Sequence, residues 1–185
     1  MWAVPPMFAG QTVAIFATGQ SLTQQICDDV SHLPCVCVND SFRMAPWGDV
    51  LYAADVEWWQ KNPDAHEFDG LKVTCMSSMR DKRVNVLQQG GLEGFDNRLT
   101  HLRTGGNSGY QAVHFAIHAK AKRILLYGFD MHGDHFFGKH KPPLRNTAAE
   151  HYEGWIARFP ALIGKGSEII NCTPGSALKC FPFHG

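Results

Sequence analysis

Two glycine-containing loops carry the residues best suited to binding a ligand. One covers residues 18–21 (TGQS) after a short apolar run, and the other covers residues 105–109 (GGNSG) before a helix-like stretch. Backbone N–H groups at a helix N-terminus lack intrahelical acceptors and lie at the positive end of the helix, so such loops can hold a phosphate or a ribose. We therefore predict one nucleotide site, with contacts from Thr18, Gly19, Ser21, Gly106, Asn107 and Ser108.

Each loop also has a simpler interpretation, in which it is a turn that caps the following helix. In that case Ser21 and Ser108 are the expected N-cap residues. The first loop has neither the G-x-G-x-x-G nor the Walker-A spacing, and this argues against a dinucleotide cofactor.

A polar stretch between residues 132 and 146 concentrates groups that can move protons or neutralise a phosphate. Histidine suits proton transfer near neutral pH, and lysine or arginine can stabilise a leaving phosphate. We predict His135 or His140 as the general base, and Lys139, Lys141 or Arg145 as the cation. A solvated surface loop is the simpler alternative.

Metal binding is a further alternative. An ATP-dependent phosphotransferase needs carboxylates to hold Mg²⁺, and the candidates are Asp55, Asp130 and Asp134. The histidines of the 132–146 stretch match no zinc spacing, so we assign no metal ligands there. His114 and His118 lie four residues apart on a predicted helix and could also bind a metal, but a structural role is commoner.

Apolar runs separated by helix-like segments must position these loops. Strands are predicted at residues 12–17, 35–38, 50–54, 71–75, 122–130 and 168–171, and helices at 21–30, 108–120 and 148–159. This alternation predicts an α/β fold: a single Rossmann-like domain over residues 1–185, with a mostly parallel sheet and helices on both faces. Ligands bind beyond the carboxyl ends of such strands, where Asn39, Asp55 and Asp130 join the first loop.

Composition limits the classes of partner. The chain has 185 residues, of which 44% are hydrophobic and 18% charged, as in an ordinary globular domain. Seventeen basic residues balance seventeen acidic ones, which argues against nucleic-acid binding. We recognise no signal peptide and no membrane-spanning run, so a cytoplasmic location is expected, with the six cysteines as free, mostly buried thiols. A homo-oligomer is compatible with these observations.

Six short motifs occur in a recognisable order. They are ATGQSL (17–22), VNDSF (38–42), DVLYA (49–53), GNSGY (106–110), AKRILLYGFD (121–130) and NCTPGSAL (171–178). Together they resemble the superfamily that contains bacterial sialyltransferases of glycosyltransferase family 42 and the related DUF115, 6-hydroxymethylpterin pyrophosphokinase-like proteins. The resemblance extends over most of the chain.

The resemblance implies roles for particular residues. In the sialyltransferases, the first loop, the asparagine after the second strand and the serine of the glycine-rich loop hold a cytidine nucleotide. The corresponding residues are Thr18, Gly19, Ser21, Asn39 and Ser108, and Ser176 corresponds to a segment that borders the nucleotide. The family's catalytic histidine lies in the loop beyond the Gly-x-Asp strand end. Here that loop lacks the tyrosines that usually grip the phosphate, and its lysines and arginine are the candidates to replace them.

Three functions are therefore expected, in order of preference. The first is a nucleotide-sugar-dependent, glycosyltransferase-like enzyme that favours a cytidine nucleotide. The second is a pyrophosphokinase-like phosphotransferase that uses ATP and a metal such as Mg²⁺. The third is a nucleotide-binding domain without catalysis. The sequence identifies neither the acceptor nor a firm cofactor.

Overall fold

A seven-stranded parallel sheet forms the centre of the protein, in a computed structural model that describes residues 2–139 and 149–184. The strands are β1 (Thr12–Phe16), β2 (Cys35–Val38), β3 (Val50–Tyr52), β4 (Leu71–Thr74), β5 (Val84–Val86), β6 (Gln88–Gln89), β7 (His101–Leu102), β8 (Arg123–Tyr127) and β9 (Glu168–Asn171). The α-helices are α1 (Gln24–Asp29), α2 (Val56–Lys61), α3 (Ser108–His118) and α4 (Ala149–Ile156). Short 3-10 helices cover Asn39–Arg43, Pro63–Glu67 and Phe159–Leu162.

The order of the strands in the sheet is β5-β4-β3-β2-β1-β8-β9, and β6 pairs with β7 separately. From β1 the chain builds the sheet outward through β2, and it later returns to place β8 on the other side of β1. Such a reversal leaves a crevice at the carboxyl ends of the two strands that flank it. The expected α/β Rossmann-like fold is confirmed, and the crevice lies between β1 and β8.

Alternating side chains of the strands build two cores, one on each face of the sheet. Val13 and Ile15 of β1 face the core formed with α3, whereas Ala14 and Phe16 face the core that contains Trp58 of α2. Successive side chains of a strand point to opposite faces, so a strand buried on both faces is apolar throughout. Helices therefore cover both faces, as predicted.

Most predicted elements are present, with shifted ends. The strand predicted at 122–130 ends at Tyr127, because Gly128 adopts a positive φ of 73° and turns the chain. Three further short strands, β5, β6 and β7, lie between the predicted strand at 71–75 and the predicted helix at 108–120. The expected helix at 21–30 begins only at Gln24.

Neither Ser21 nor Ser108, the expected N-cap residues, caps its helix. Thr23 caps α1 by accepting a hydrogen bond from the Ile26 N–H at 3.2 Å, and Ser21 bonds elsewhere. Asn107 caps α3 by accepting from the Tyr110 N–H at 3.0 Å. A cap residue must be extended and stand directly before the first helical residue, a position that Ser108 does not occupy because it already belongs to α3.

Other expectations concern the thiols and the membrane. All six cysteines are free; Cys172 and Cys180 are half-buried, and the other four are buried. Among the residues that the structure describes, no helix is long and apolar enough to cross a membrane.

His114 and His118 of α3 are buried in the protein rather than arranged around a metal site. The His114 ring stacks on Phe95 with centroids 4.2 Å apart. Its Nε2 donates to the Asp96 carbonyl at 3.1 Å, and its Nδ1 accepts from the Arg103 N–H at 3.3 Å. Both ring nitrogens therefore have partners that suit a neutral imidazole, and burial lowers the pKa of His114 to about 4.

This depressed pKa predicts a loss of stability in mild acid. The pKa of His114 rises to its ordinary value near 6.5 on unfolding, so the unfolded chain binds more protons between pH 6.5 and 4. The free energy of unfolding should therefore fall as the pH drops through this window, by about 3 kcal/mol from this group. Burial also lowers the pKa of His118, so this residue adds to the loss of stability in acid.

Urea unfolding at pH 7, 5.5 and 4.5 measures the effect. His114→Gln should flatten the pH dependence, because a glutamine amide can donate and accept in this position without titrating. The exposed His32 supplies the control variant His32→Gln, which should keep the wild-type slope. An unchanged slope in His114→Gln would show that other groups cause the acid sensitivity.

Candidate functional site

A pocket of about 610 Å³ opens at the carboxyl ends of β1 and β8, where the direction of sheet building reverses. This volume lies in the range of small-molecule sites. Nine of the residues predicted to bind the nucleotide or to act in catalysis line it: Thr18, Gly19, Asn39, Asp55, Gly106, Asn107, Ser108, Asp130 and His135. The structure thus brings together the two glycine loops and the start of the histidine-containing stretch.

The first loop is held tightly against the end of β8. The Gly19 N–H donates to the Gly128 carbonyl at 2.9 Å. A Cβ added at Gly19 would overlap that carbonyl and the Asp130 carboxylate. Only glycine therefore allows this approach, and its role here is close packing rather than a positive φ.

Asp130 fixes the loop from the other side. Asp130 is only 3% exposed, and its carboxylate accepts from the Ser21 N–H at 3.1 Å and from the Ser21 hydroxyl at 2.8 Å. A buried carboxylate needs such donors. Ser21 was predicted to contact the ligand, but it does not line the pocket and instead secures Asp130.

The second loop forms the opposite wall. Gly105 and Gly106 both have positive φ, 57° and 71°, which lets the chain turn sharply into α3. Gly109 packs so closely on the Phe129 ring that an added Cβ would lie 2.9 Å from it. The first-turn amides of α3, at Ser108 and Gly109, precede any intrahelical acceptor, so they are available to an anion in the pocket.

Asn39 has two unusual features at the pocket wall. It adopts a left-handed backbone with φ of 50°, and its Oδ1 is buried without a hydrogen-bond partner among the described residues. Met131, beside Asp130 at the same pocket, is also left-handed with φ of 57°. A buried acceptor without a partner carries a free-energy cost, and a left-handed backbone is uncommon outside glycine, so both features mark this wall as a candidate functional site.

His135 is oriented by the first loop. Its Nδ1 lies 2.8 Å from the Thr18 hydroxyl, and its ring stacks on Phe137 with centroids 4.9 Å apart. The neighbouring Phe136 N–H donates to the Thr18 carbonyl at 2.9 Å, so the backbone pairs with the loop as well. Thr18 is 8% exposed and therefore holds the imidazole from within the protein.

Lys139 is the other described member of the predicted catalytic set. Lys139 is exposed and does not line the pocket. His140, Lys141 and Arg145 lie outside the described residues. Among the described predicted candidates, His135 alone combines a place in the pocket with a fixed orientation.

Ser176 does not reach the pocket lining. Its hydroxyl donates to the Phe129 carbonyl at 2.6 Å and accepts from the Leu178 N–H at 3.0 Å, and the residue is 2% exposed. Thr173 in the same segment accepts from the Phe129 N–H at 3.0 Å. The 171–178 motif therefore supports the strand end behind the pocket instead of touching its interior.

Sequence reasoning missed one wall of the pocket. His151, Tyr152 and Trp155 of α4 line it, together with Arg158 just beyond the helix. Tyr152 donates to the Gly133 carbonyl at 3.0 Å, which ties α4 to the loop after β8. The available signal was spacing: residues 151, 155 and 158 recur at helical steps and carry two rings and a cation.

The candidate metal ligands do not form a cluster. Asp55 and Asp134 line the pocket, and Asp130 is engaged by Ser21. Within residues 2–139 and 149–184, no three His, Cys, Asp or Glu side chains stand close enough to hold a metal ion.

The arrangement combines three chemical capacities. It offers helix N-terminal amides and the Arg158 guanidinium for an anion, an orphan amide oxygen for an O–H or N–H donor, and an oriented imidazole for proton transfer.

Comparison of this chain with protein-family models, curated proteins and solved structures finds no match.

Proposed function

We propose that this protein binds a nucleotide in the pocket between β1 and β8 and transfers a sugar from a nucleotide-sugar donor. The observation that carries the proposal is the convergence of both glycine loops, Asn39 and His135 on one pocket at the reversal point of a parallel sheet. Nucleotides bind at this point in sheets of this kind.

The orphan oxygen of Asn39 supports a ligand that donates hydrogen bonds. A buried acceptor without a partner destabilises a protein by roughly 1–3 kcal/mol, and a ligand O–H or N–H would remove that penalty. Ribose hydroxyls and the exocyclic amine of cytosine are donors of the required kind. The preference for cytidine itself rests on the motif resemblance to the family 42 sialyltransferases.

His135 supports catalysis rather than binding alone. In the proposed reaction, the acceptor hydroxyl oxygen forms a bond to the anomeric carbon of the donor sugar. The bond between that carbon and the phosphate oxygen breaks, and the nucleotide leaves with the electron pair. His135 takes the acceptor proton, and the Thr18 hydroxyl holds its ring in place.

The metal-dependent phosphotransferase has less support. Mg²⁺ in such enzymes is held by one or two carboxylates together with substrate phosphates, and of the three candidate carboxylates Asp130 is already bonded to Ser21. A domain that binds nucleotide without turnover needs the same pocket, so turnover is the measurement that separates it from a transferase.

A cytoplasmic location is part of the same proposal. Six free thiols suit a reducing compartment, where disulfides are rare.

Nucleotide binding should appear as a rise in melting temperature. CMP, CDP, UDP, GDP and ATP are each added with and without Mg²⁺, since a ligand that binds only the folded state stabilises it by mass action. We expect CMP to raise the melting temperature by roughly 5–10 °C at a hundredfold excess over its Kd, without Mg²⁺.

Ser108→Trp should abolish this shift, because an indole at the first residue of α3 would fill the space beside the second loop. The exposed Ser78 lies outside the pocket lining, so Ser78→Trp is the matched control and should keep the wild-type response. A full CMP response in Ser108→Trp would place the nucleotide elsewhere. A response to ATP that requires Mg²⁺ would favour the phosphotransferase.

A further inference from the structure

Arg158 is a pocket cation that belongs to none of the recognised motifs. It lies between α4 and the 3-10 helix Phe159–Leu162, and its side chain is 22% exposed. Within the described lining it is the only arginine or lysine. Its charge therefore has a strong influence on what the pocket can hold.

The guanidinium lies beside the second glycine loop. Its Nη1 donates to the Gly105 carbonyl at 3.4 Å, a long hydrogen bond. A Cβ built on Gly106 would lie 3.5 Å from the same Nη1 and 3.1 Å from the Trp155 indole nitrogen. The cation and the indole N–H thus stand directly over the backbone that leads into α3.

The partners of this guanidinium are weak. Its Nε is buried and makes no hydrogen bond to any described residue, and it lies 3.5 Å from Glu93 Oε1 as an ion pair. The Glu93 side chain is 73% exposed, so water screens the pair. Donors of Arg158 therefore remain available to a stronger anionic partner.

We propose that Arg158 binds the phosphate of the nucleotide against the first turn of α3, and that Glu93 competes with that phosphate for the guanidinium. This inference rests on the proposed function, and it assigns to α4 and its C-terminal neighbour the phosphate contact expected from the 132–146 loop. A phosphate held there would receive the amides of Ser108 and Gly109 from one side and the guanidinium from the other.

The alternative is a purely structural role, in which Arg158 only connects α4 to the second loop. The two roles differ in which ligand group they affect. A phosphate-binding arginine matters for CMP and not for cytidine, whereas a structural arginine affects both through the shape of the pocket.

Calorimetric titration with CMP, cytidine and inorganic phosphate tests the proposal. Arg158→Ala should weaken CMP binding roughly 10- to 100-fold, as expected for the loss of hydrogen bonds to a charged group, and leave cytidine binding unchanged. The CMP affinity of Arg158→Lys should lie between those of the wild type and Arg158→Ala, because an ammonium keeps the charge without the planar donor geometry of a guanidinium. Glu93→Gln should tighten CMP binding roughly two- to fivefold by removing the competing carboxylate.

The matched control is an Arg–Glu pair at the amino ends of β8 and β9, away from the carboxyl ends where the pocket lies. Arg123 Nε lies 2.6 Å from Glu168 Oε2 outside the pocket lining, so Arg123→Ala and Glu168→Gln should leave CMP affinity unchanged. Equal weakening of CMP and cytidine in Arg158→Ala, or no weakening of CMP, would overturn the phosphate role while the nucleotide site stands. If the wild type binds inorganic phosphate through Arg158 but no nucleotide, the proposed function fails and the anion site remains. Binding of none of the three probes overturns both.

Discussion

Replacing His135 with asparagine is expected to lower turnover roughly 10²–10⁴-fold while nucleotide affinity stays close to that of the wild type. The imidazole is the oriented base of the proposed reaction, because the Thr18 hydroxyl lies 2.8 Å from Nδ1 and the ring stacks on Phe137. Asparagine fills part of the same space and cannot accept a proton near neutral pH. Release of free nucleotide from the donor, with water as the acceptor, measures the rate without knowledge of the natural acceptor.

Other histidines give the comparison. His151 also lines the pocket, and His140 was the second candidate from the sequence. We expect His151→Asn to reduce the rate far less than His135→Asn, since its described ring contact is with Trp155 and not with the first loop. Full turnover in His135→Asn, with the loss appearing in His140→Asn or His151→Asn, would assign the base to a different histidine.

Adding a single methyl group at Gly19 is expected to remove nucleotide binding and to destabilise the fold. The Cβ of Gly19→Ala would overlap the Gly128 carbonyl and the Asp130 carboxylate, neither of which can move freely. Overpacking usually costs about 1–3 kcal/mol, and we expect the upper end here because Asp130 is buried and bonded to Ser21. Urea unfolding and CMP titration measure the two effects.

Gly154→Ala is the matched change for the stability measurement. It adds the same methyl group in α4, where the Cβ would meet only the Arg158 side chain at ordinary contact distances of 3.5 Å and more. Replacing a helical glycine with alanine should raise the free energy of unfolding by about 0.5–1 kcal/mol. If Gly19→Ala were as stable as Gly154→Ala and still bound CMP, the first loop would not be packed against Asp130 as described.

The sheet could be predicted from the sequence because its signals are local. Val13 and Ile15 alternate with Ala14 and Phe16 across two cores, so the run is apolar throughout. Such a run, bounded by Gly19, indicates a strand buried on both faces whatever the rest of the chain does. Parallel strand ends meet at one edge, which is why Asn39, next to that edge, could be expected beside the first loop.

The caps and several site roles could not be predicted, because distant contacts decide them. Ser21 has the residue type of a helix cap, but it bonds to Asp130, a residue 109 positions away, and Thr23 takes the cap instead. From the local sequence alone, either Ser21 or Thr23 could be the N-cap of α1. The buried carboxylate, which requires donors, determines which of them is used.

The pocket wall formed by α4 and Arg158 depends entirely on the tertiary structure. The spacing of His151, Trp155 and Arg158 predicts that they share a helix face, yet it does not say what that face covers. Arg158 meets Gly105 across 53 residues of chain. Periodicity therefore determined the strands, the helices and the edge where a ligand would bind, whereas packing between distant segments decided which charged and aromatic side chains reach that edge.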